Sequence, residues 1–269
     1  MPRRSETEQP TGVAAAALRI YLLGPPAVVW ADRSLALSRR QVRALLYRLA
    51  AGRQPVPREQ LCCLFWSDAP EVTARRHLTG LLSHLRRALP TPDMLITAGD
   101  LVGLHPGRIW YDAAVFERLC TARGHPVHVE TLQQAINLYR GPFLAGFSLP
   151  TCAEFETWAT MERQTWERLY LETLATLIEE RAGRGEYASA IACARRYLAT
   201  DDLAEDIHRR LIELYAASGD RGAALRQFEQ CVMVLERELG VNPLPETQAA
   251  YRAALGGETP PESAAQVRP

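Results

Sequence analysis

The sequence predicts a mainly α-helical protein whose N-terminal part is a small α/β module. Three observations carry this. Short apolar runs of β character at residues 18–23, 27–30 and 35–37 are separated by Gly24-Pro25-Pro26 and Ala31-Asp32-Arg33, the punctuation of a small antiparallel sheet. Three stretches of helical periodicity then run as far as Pro90, each with apolar residues at three- and four-residue spacing. From Asp112 onward the pattern is helical throughout, and one segment returns at an offset of 34 residues.

Each element has its own signals. Ser38 with Gln41 three positions on reads as a capping box, and Val42, Leu45, Leu46 and Leu49 supply the stripe of a helix that Gly52 ends. Pro57 opens a second, short helix with Leu61, Leu64 and Phe65 inward. Asp68-Ala69-Pro70-Glu71 starts a third, which reaches about Leu89 before Pro90 stops it. Residues 94–98 and 101–104 read as two strands joined around Gly99-Asp100, a hairpin. Sheet, three helices and a hairpin, in that order, is the layout of a winged helix-turn-helix, here assigned to residues 18–112. Residues 1–17, polar and then Ala-rich, read as a disordered leader.

The C-terminal half carries an internal repeat. Gly185-Glu-Tyr-Ala-Ser-Ala190-Ile191 returns as Gly219-Asp-Arg-Gly-Ala-Ala224-Leu225. An offset of 34 is the period of tetratricopeptide repeats, in which small residues let paired helices approach closely. Helical stretches at 204–218 and 220–239 flank the second copy, and others at 132–139 and 154–181 extend the array. Residues 113–255 are therefore assigned to a tetratricopeptide-like domain, and 256–269, rich in Gly, Pro and Ser, to a flexible tail or linker.

Formal net charge is zero, but its distribution is uneven. Residues 33–90 hold eleven Arg against Glu59, Asp68 and Glu71, a net +8, whereas residues 91–269 carry −8. A basic block beside an acidic remainder points to one part that meets a polyanion and another that does not. The six cysteines include no C-x-x-C pair, so reduced cysteines in a cytoplasmic protein are expected. The one N-terminal apolar run is short and is interrupted by Arg19. No signal peptide or membrane partner is expected. Phosphate-binding loops, dinucleotide fingerprints, zinc-protease motifs and nucleophile elbows are all lacking, so the chain reads as a non-enzyme without a cofactor.

The third helix carries the chemistry. At 100° per residue, Leu78, Leu81, Leu82, Leu85 and Leu89 fall within roughly 60° of one direction. Opposite them lie Arg76, Gly80, Ser83 and Arg87, flanked by His77 and His84 on one side and Thr79 and Arg86 on the other. No acidic residue falls between Thr73 and Leu89, whereas a merely solvated face mixes signs. Arg pairs bidentately with guanine, hydroxyls reach bases or phosphates, and flanking Arg neutralise backbone charge. A mid-helix Gly costs about 1 kcal/mol relative to Ala, and Gly80 on the polar face offsets none of this by core packing. Close approach of a partner explains it. The candidate DNA-contacting set is Arg75, Arg76, His77, Thr79, Gly80, Ser83, His84, Arg86 and Arg87. His77 and His84 lie seven apart with no Cys, Asp or Glu at ligand spacing. Phosphate or base contact is favoured for them, and no metal site is assigned.

Further matches run over residues 18–255. They include Leu64-Phe65-Trp66, Ala74-Arg75-Arg76-His77-Leu78 and Ser83-His84-Leu85-Arg86-Arg87-Ala88-Leu89, then Tyr111-Asp112, Phe116 and Leu138-Tyr139-Arg140-Gly141-Pro142-Phe143-Leu144. Phe155-Glu156-Thr157-Trp158, Leu214-Tyr215 and Leu235-Glu236-Arg237-Glu238-Leu239-Gly240-Val241 continue the series. In order and spacing the sequence resembles the bacterial activators of the antibiotic-regulatory-protein type. These join an OmpR-like winged helix to a bacterial transcriptional activator domain. The resemblance implies that the third helix reads double-stranded DNA. It implies that the repeat domain mediates self-association, as in a homodimer, and contact with RNA polymerase or other transcription machinery. Larger members continue into a nucleotide-binding signalling module, and Thr259-Pro260-Pro261 is where one would follow. The hairpin departs from the pattern. It reads Thr97-Ala-Gly-Asp-Leu-Val-Gly-Leu104, with an Asp and no cation near its tip, which shifts the weight onto the third helix. The resulting expectation is a sequence-specific transcription activator. The alternative is a repeat-scaffold adaptor, or a sensory input module of a signalling NTPase, with weak or no DNA binding.

Overall fold

The computed structural model describes residues 18–52, 54–121 and 128–256. The leader read over 1–17, and all of the tail but Gly256, lie outside the described residues. Alternation sets the first strand, β1 (Leu18–Tyr21), which buries Leu18 and Ile20 completely. β2 (Ala27–Trp30) and β3 (Arg33–Ser34) follow, then α1 (Arg40–Ala51), β4 (Val56–Pro57), α2 (Arg58–Trp66) and α3 (Glu71–Ala88). A 3-10 turn at Pro92–Met94 leads into β5 (Leu95–Ala98), β6 (Leu101–Leu104) and β7 (Ile109–Tyr111). One sheet has the order β3-β2-β1-β7, with β7 parallel to β1, and a second has the order β4-β6-β5. Leu45, Leu46, Leu61, Leu78 and Leu85 form a core with no exposed surface. Helix, short strand, helix, helix and hairpin make this part a winged helix-turn-helix.

Three local expectations are corrected. The apolar run at 35–37 is not a strand. Ala31 and Asp32 both take positive φ (46° and 60°), the two-residue hairpin turn that pairs the residues on either side of it. Pairing therefore falls on Trp30 with Arg33 and Val29 with Ser34. The capping box at Ser38 does not form, because Arg39 occupies the N-cap position of α1 and no side chain caps that end. In α2 the buried residues are Leu61, Cys62 and Phe65, so Cys62 takes the inward place read for Leu64. The short strands β4 and β7 have no counterpart in the sequence reading.

The helical part comprises α4 (Asp112–Thr121), α5 (Val129–Leu138), α6 (Ala153–Gly183), α7 (Tyr187–Leu198), α8 (Glu205–Ala217), α9 (Arg221–Leu239) and α10 (Pro245–Ala254). The described chain forms two compact units. One gathers residues 18–121 and 131–170, the other 128–130 and 171–256. Hydrogen bonding explains why the first unit reaches past Asp112. Arg140 N donates to Leu23 O (3.1 Å), Leu144 N to Leu22 O (2.9 Å) and Gly24 N to Pro142 O (3.2 Å). The Asp112 carboxylate, with no exposed surface, accepts from the backbone N–H groups of Leu22 (2.7 Å), Leu23 (3.1 Å) and Ala113 (2.8 Å). Burial pushes its carboxyl up from the ordinary aspartate range, against the pull of these donors and of Arg140 at 3.6 Å.

In the second unit the 34-residue repeat is structural. Gly185 and Gly219 both hold left-handed backbone (φ 74° and 83°) at the turns after α6 and α8. Glu186 N donates to Arg181 O and Asp220 N to Tyr215 O, each 2.9 Å, the same bond one repeat apart. Ala190 and Ala224 are buried to within 1% exposure. Ala224→Leu is therefore expected to overpack the helix pair and to cost roughly 1–3 kcal/mol. A denaturant melt reads this directly, and an unchanged midpoint would mean the helices do not need a small residue there. Among the described residues no helix is long and apolar enough to cross a membrane.

Candidate nucleic-acid interface

Helix α3 divides as its periodicity requires. Leu78, Leu81, Leu82 and Leu85 are buried, as is Leu89 at its C-terminal cap, while Arg75, Arg76, His77, Thr79, Gly80, Ser83 and Arg87 are exposed. His84 and Arg86 are half-buried. The face opposite the leucines is thus open, with a cationic rim. A Cβ built on Gly80 would meet nothing within 4 Å, so the fold itself does not require glycine there.

The polar residues differ in how far they are engaged. Thr79 Oγ1 donates to Arg75 O and Ser83 Oγ to Thr79 O, each at 2.9 Å. Both hydroxyls lie against the helix and keep their lone pairs outward. Arg75 pairs with Glu71 at 2.9 Å and with Asp100, at the tip of the β5–β6 hairpin, at 3.6 Å. Arg86 reaches Thr97 Oγ1 on β5 at 3.5 Å. The Arg76 side chain makes no hydrogen bond or ion pair among the described residues, which leaves its guanidinium available to a partner. His77 lies against the Trp66 ring, with centroids 5.6 Å apart.

Beside this face runs a cleft of about 740 Å³, walled by Arg76, His77, Gly80 and His84 of α3, Arg39 and Arg40 at the start of α1, Trp66, and Leu149-Pro150-Thr151. Arg39 Nη1 lies 2.6 Å from His84 Nε2, and Arg87 Nη2 lies 2.9 Å from His84 Nδ1. Burial, then Arg39 and Arg87, hold the His84 imidazole below the usual histidine range. Arg39 and Arg40 are absent from the set read in the sequence. The signal available was the Arg pair itself, which sits where the capping box was read. Among the described residues no three His, Cys, Asp or Glu converge to hold a metal ion.

Comparison with known proteins adds the family. Over 94% of its length the chain is 28% identical to the regulatory protein AfsR of Streptomyces coelicolor. Over 91% it is 27% identical to the AfsR of Streptomyces griseus. It spans 26% of the length of each, about a quarter of these regulators. Among solved structures, Mycobacterium tuberculosis EmbR, determined in complex with a low-affinity phosphopeptide, superposes with a TM-score of 0.62 at 22% identity. That match covers 89% of this chain and 65% of EmbR. The fold is shared. The family model of the bacterial transcriptional activator domain matches residues 111–255, more than half of the chain, and with this match the chain belongs to that family.

Proposed function

We propose that this protein is a cytoplasmic, sequence-specific transcription activator that places α3 in the major groove of duplex DNA. The observation that carries the reading is the α3 face. It is cationic, has an unpaired Arg76 beside an unobstructed Gly80, and lacks any carboxylate from Thr73 to Ala88. A major groove admits a helix, and its base edges present acceptors to a guanidinium fork. In this reading residues 18–112 bind DNA. Residues 113–255 mediate self-association and contact with the transcription machinery, and neither a metal nor a cofactor takes part.

The engaged and free arginines have separate expected effects. Arg76→Ala should cost about 1–3 kcal/mol at one base position and relax the preference there. Arg86→Ala, on the flank, should weaken all duplexes alike and lower the log–log salt slope by about one. Titration of the full chain with specific and scrambled duplexes at several salt concentrations separates the two. If neither variant changes affinity or slope, α3 is not at the interface. A second reading, a repeat-scaffold adaptor, is favoured by the hairpin tip, which carries no cation and instead presents Asp100, whose carboxylate pairs with Arg75.

A further inference from the structure

The arrangement around His84 is electrostatically incomplete. A neutral imidazole carries one N–H and one lone pair, whereas a guanidinium offers only donors. With Arg39 at one ring nitrogen and Arg87 at the other, one contact is a hydrogen bond and the other sets donor against donor. Nothing nearby relieves this. Arg39, the N-cap residue of α1, and Arg87 of α3 stand at the two ring nitrogens, and the other titratable groups lining the cleft beside it are Arg40, Arg76 and His77. Trp66 and the segment Leu149-Pro150-Thr151 bring no charge, and among the described residues no carboxylate lines the cleft. Two guanidinium groups flank one imidazole, and only one of them has an acceptor there.

An anion with several acceptor oxygens completes such a cluster, and a phosphodiester supplies two unbridged oxygens and one negative charge. We infer that Arg39, His84 and Arg87 form a single seat for a backbone phosphate, in which His84 becomes imidazolium as the phosphate enters. This rests on the reading of α3 as the duplex-facing helix and adds Arg39 and a proton to it. The protonated ring gives one N–H to the phosphate, Arg39 and Arg87 turn from the ring nitrogens to the other oxygen positions, and the phosphate supplies the counter-charge that the free protein lacks. The sign follows from linkage. The ring is neutral in the free protein near neutral pH and charged in the complex, so binding takes up a proton and strengthens as pH falls. The gain levels off once the free ring is itself protonated.

The test is fluorescence anisotropy of the full chain on a mixed-sequence duplex of about 30 base pairs, from about pH 8 to about pH 5.5 at constant ionic strength. For the wild type, the logarithm of affinity should rise by up to about one per unit fall in pH. Calorimetry in two buffers of different protonation enthalpy should show proton uptake. His84→Gln should flatten the pH dependence, while His105→Gln, outside the contact set, should keep it. Arg39→Gln should lower affinity and shift the dependence to higher pH, because the free ring then carries one fewer cationic neighbour. A wild-type complex that takes up no proton, or a His84→Gln protein with the wild-type pH dependence, overturns the phosphate seat while leaving duplex binding in place. Failure of the wild type to bind the duplex at any pH overturns the reading of α3 as well.

Discussion

Asp112→Ala is expected to destabilise the first unit by at least about 3 kcal/mol, because it strands buried backbone donors rather than merely deleting a contact. Leu22, Leu23 and Ala113 each give an N–H to this one carboxylate, which has no exposed surface. Arg140 also loses its ion-pair partner at 3.6 Å. For a chain of this size the change corresponds to a fall in melting temperature of roughly 6–12 °C. Asp112→Asn keeps one acceptor oxygen and should fall between wild type and Ala. Burial holds the folded carboxyl above its unfolded value. The contribution of Asp112 is therefore fullest below the unfolded value and is lost as pH rises through the folded one. Wild type should accordingly lose stability relative to Asp112→Asn over that rise. Thermal melts of the three proteins across pH check both points. An Asp112→Ala melt within about 2 °C of wild type would show that these N–H groups find other partners.

Asp112 also marks the limit of what the sequence alone discloses. Features written in local periodicity are legible: the leucine stripe of α3, its polar face, the hairpin around Gly99 and the 34-residue repeat all depend on neighbours within a turn or a period. The role of Asp112 depends on Leu22, 90 positions away, and Arg39 meets His84 across 45. No local spacing encodes either. β4 and β7 were illegible for the same reason, since strands of two and three residues are defined by the partner across the ladder rather than by their own pattern. The absent capping box is a smaller case. Ser38 and Gln41 have the right spacing, but the helix starts at Arg40, one residue later than the box requires.

Gly80→Gln carries the largest expected effect on binding. The side chain projects from the exposed α3 face, where a Cβ meets nothing within 4 Å beyond its chain neighbours and the helix's own backbone. The first side-chain atom therefore meets no clash, and replacing Gly inside a helix should raise helix stability by up to about 1 kcal/mol. In the groove the same side chain occupies the space between Arg76 and Ser83 and holds α3 away from the base edges. Discrimination between specific and random sites should then collapse by about a thousandfold or more, to the level that phosphate contacts alone provide. Selection of bound sites from a random duplex library, run in parallel on wild-type and Gly80→Gln protein with a thermal melt of each, tests the central claim directly. The predicted result is a defined site for the wild type, none for the variant, and a variant melting temperature no lower than wild type. A variant that recovers the same sites with wild-type discrimination, or a wild type that enriches none, would contradict docking of α3 in the major groove.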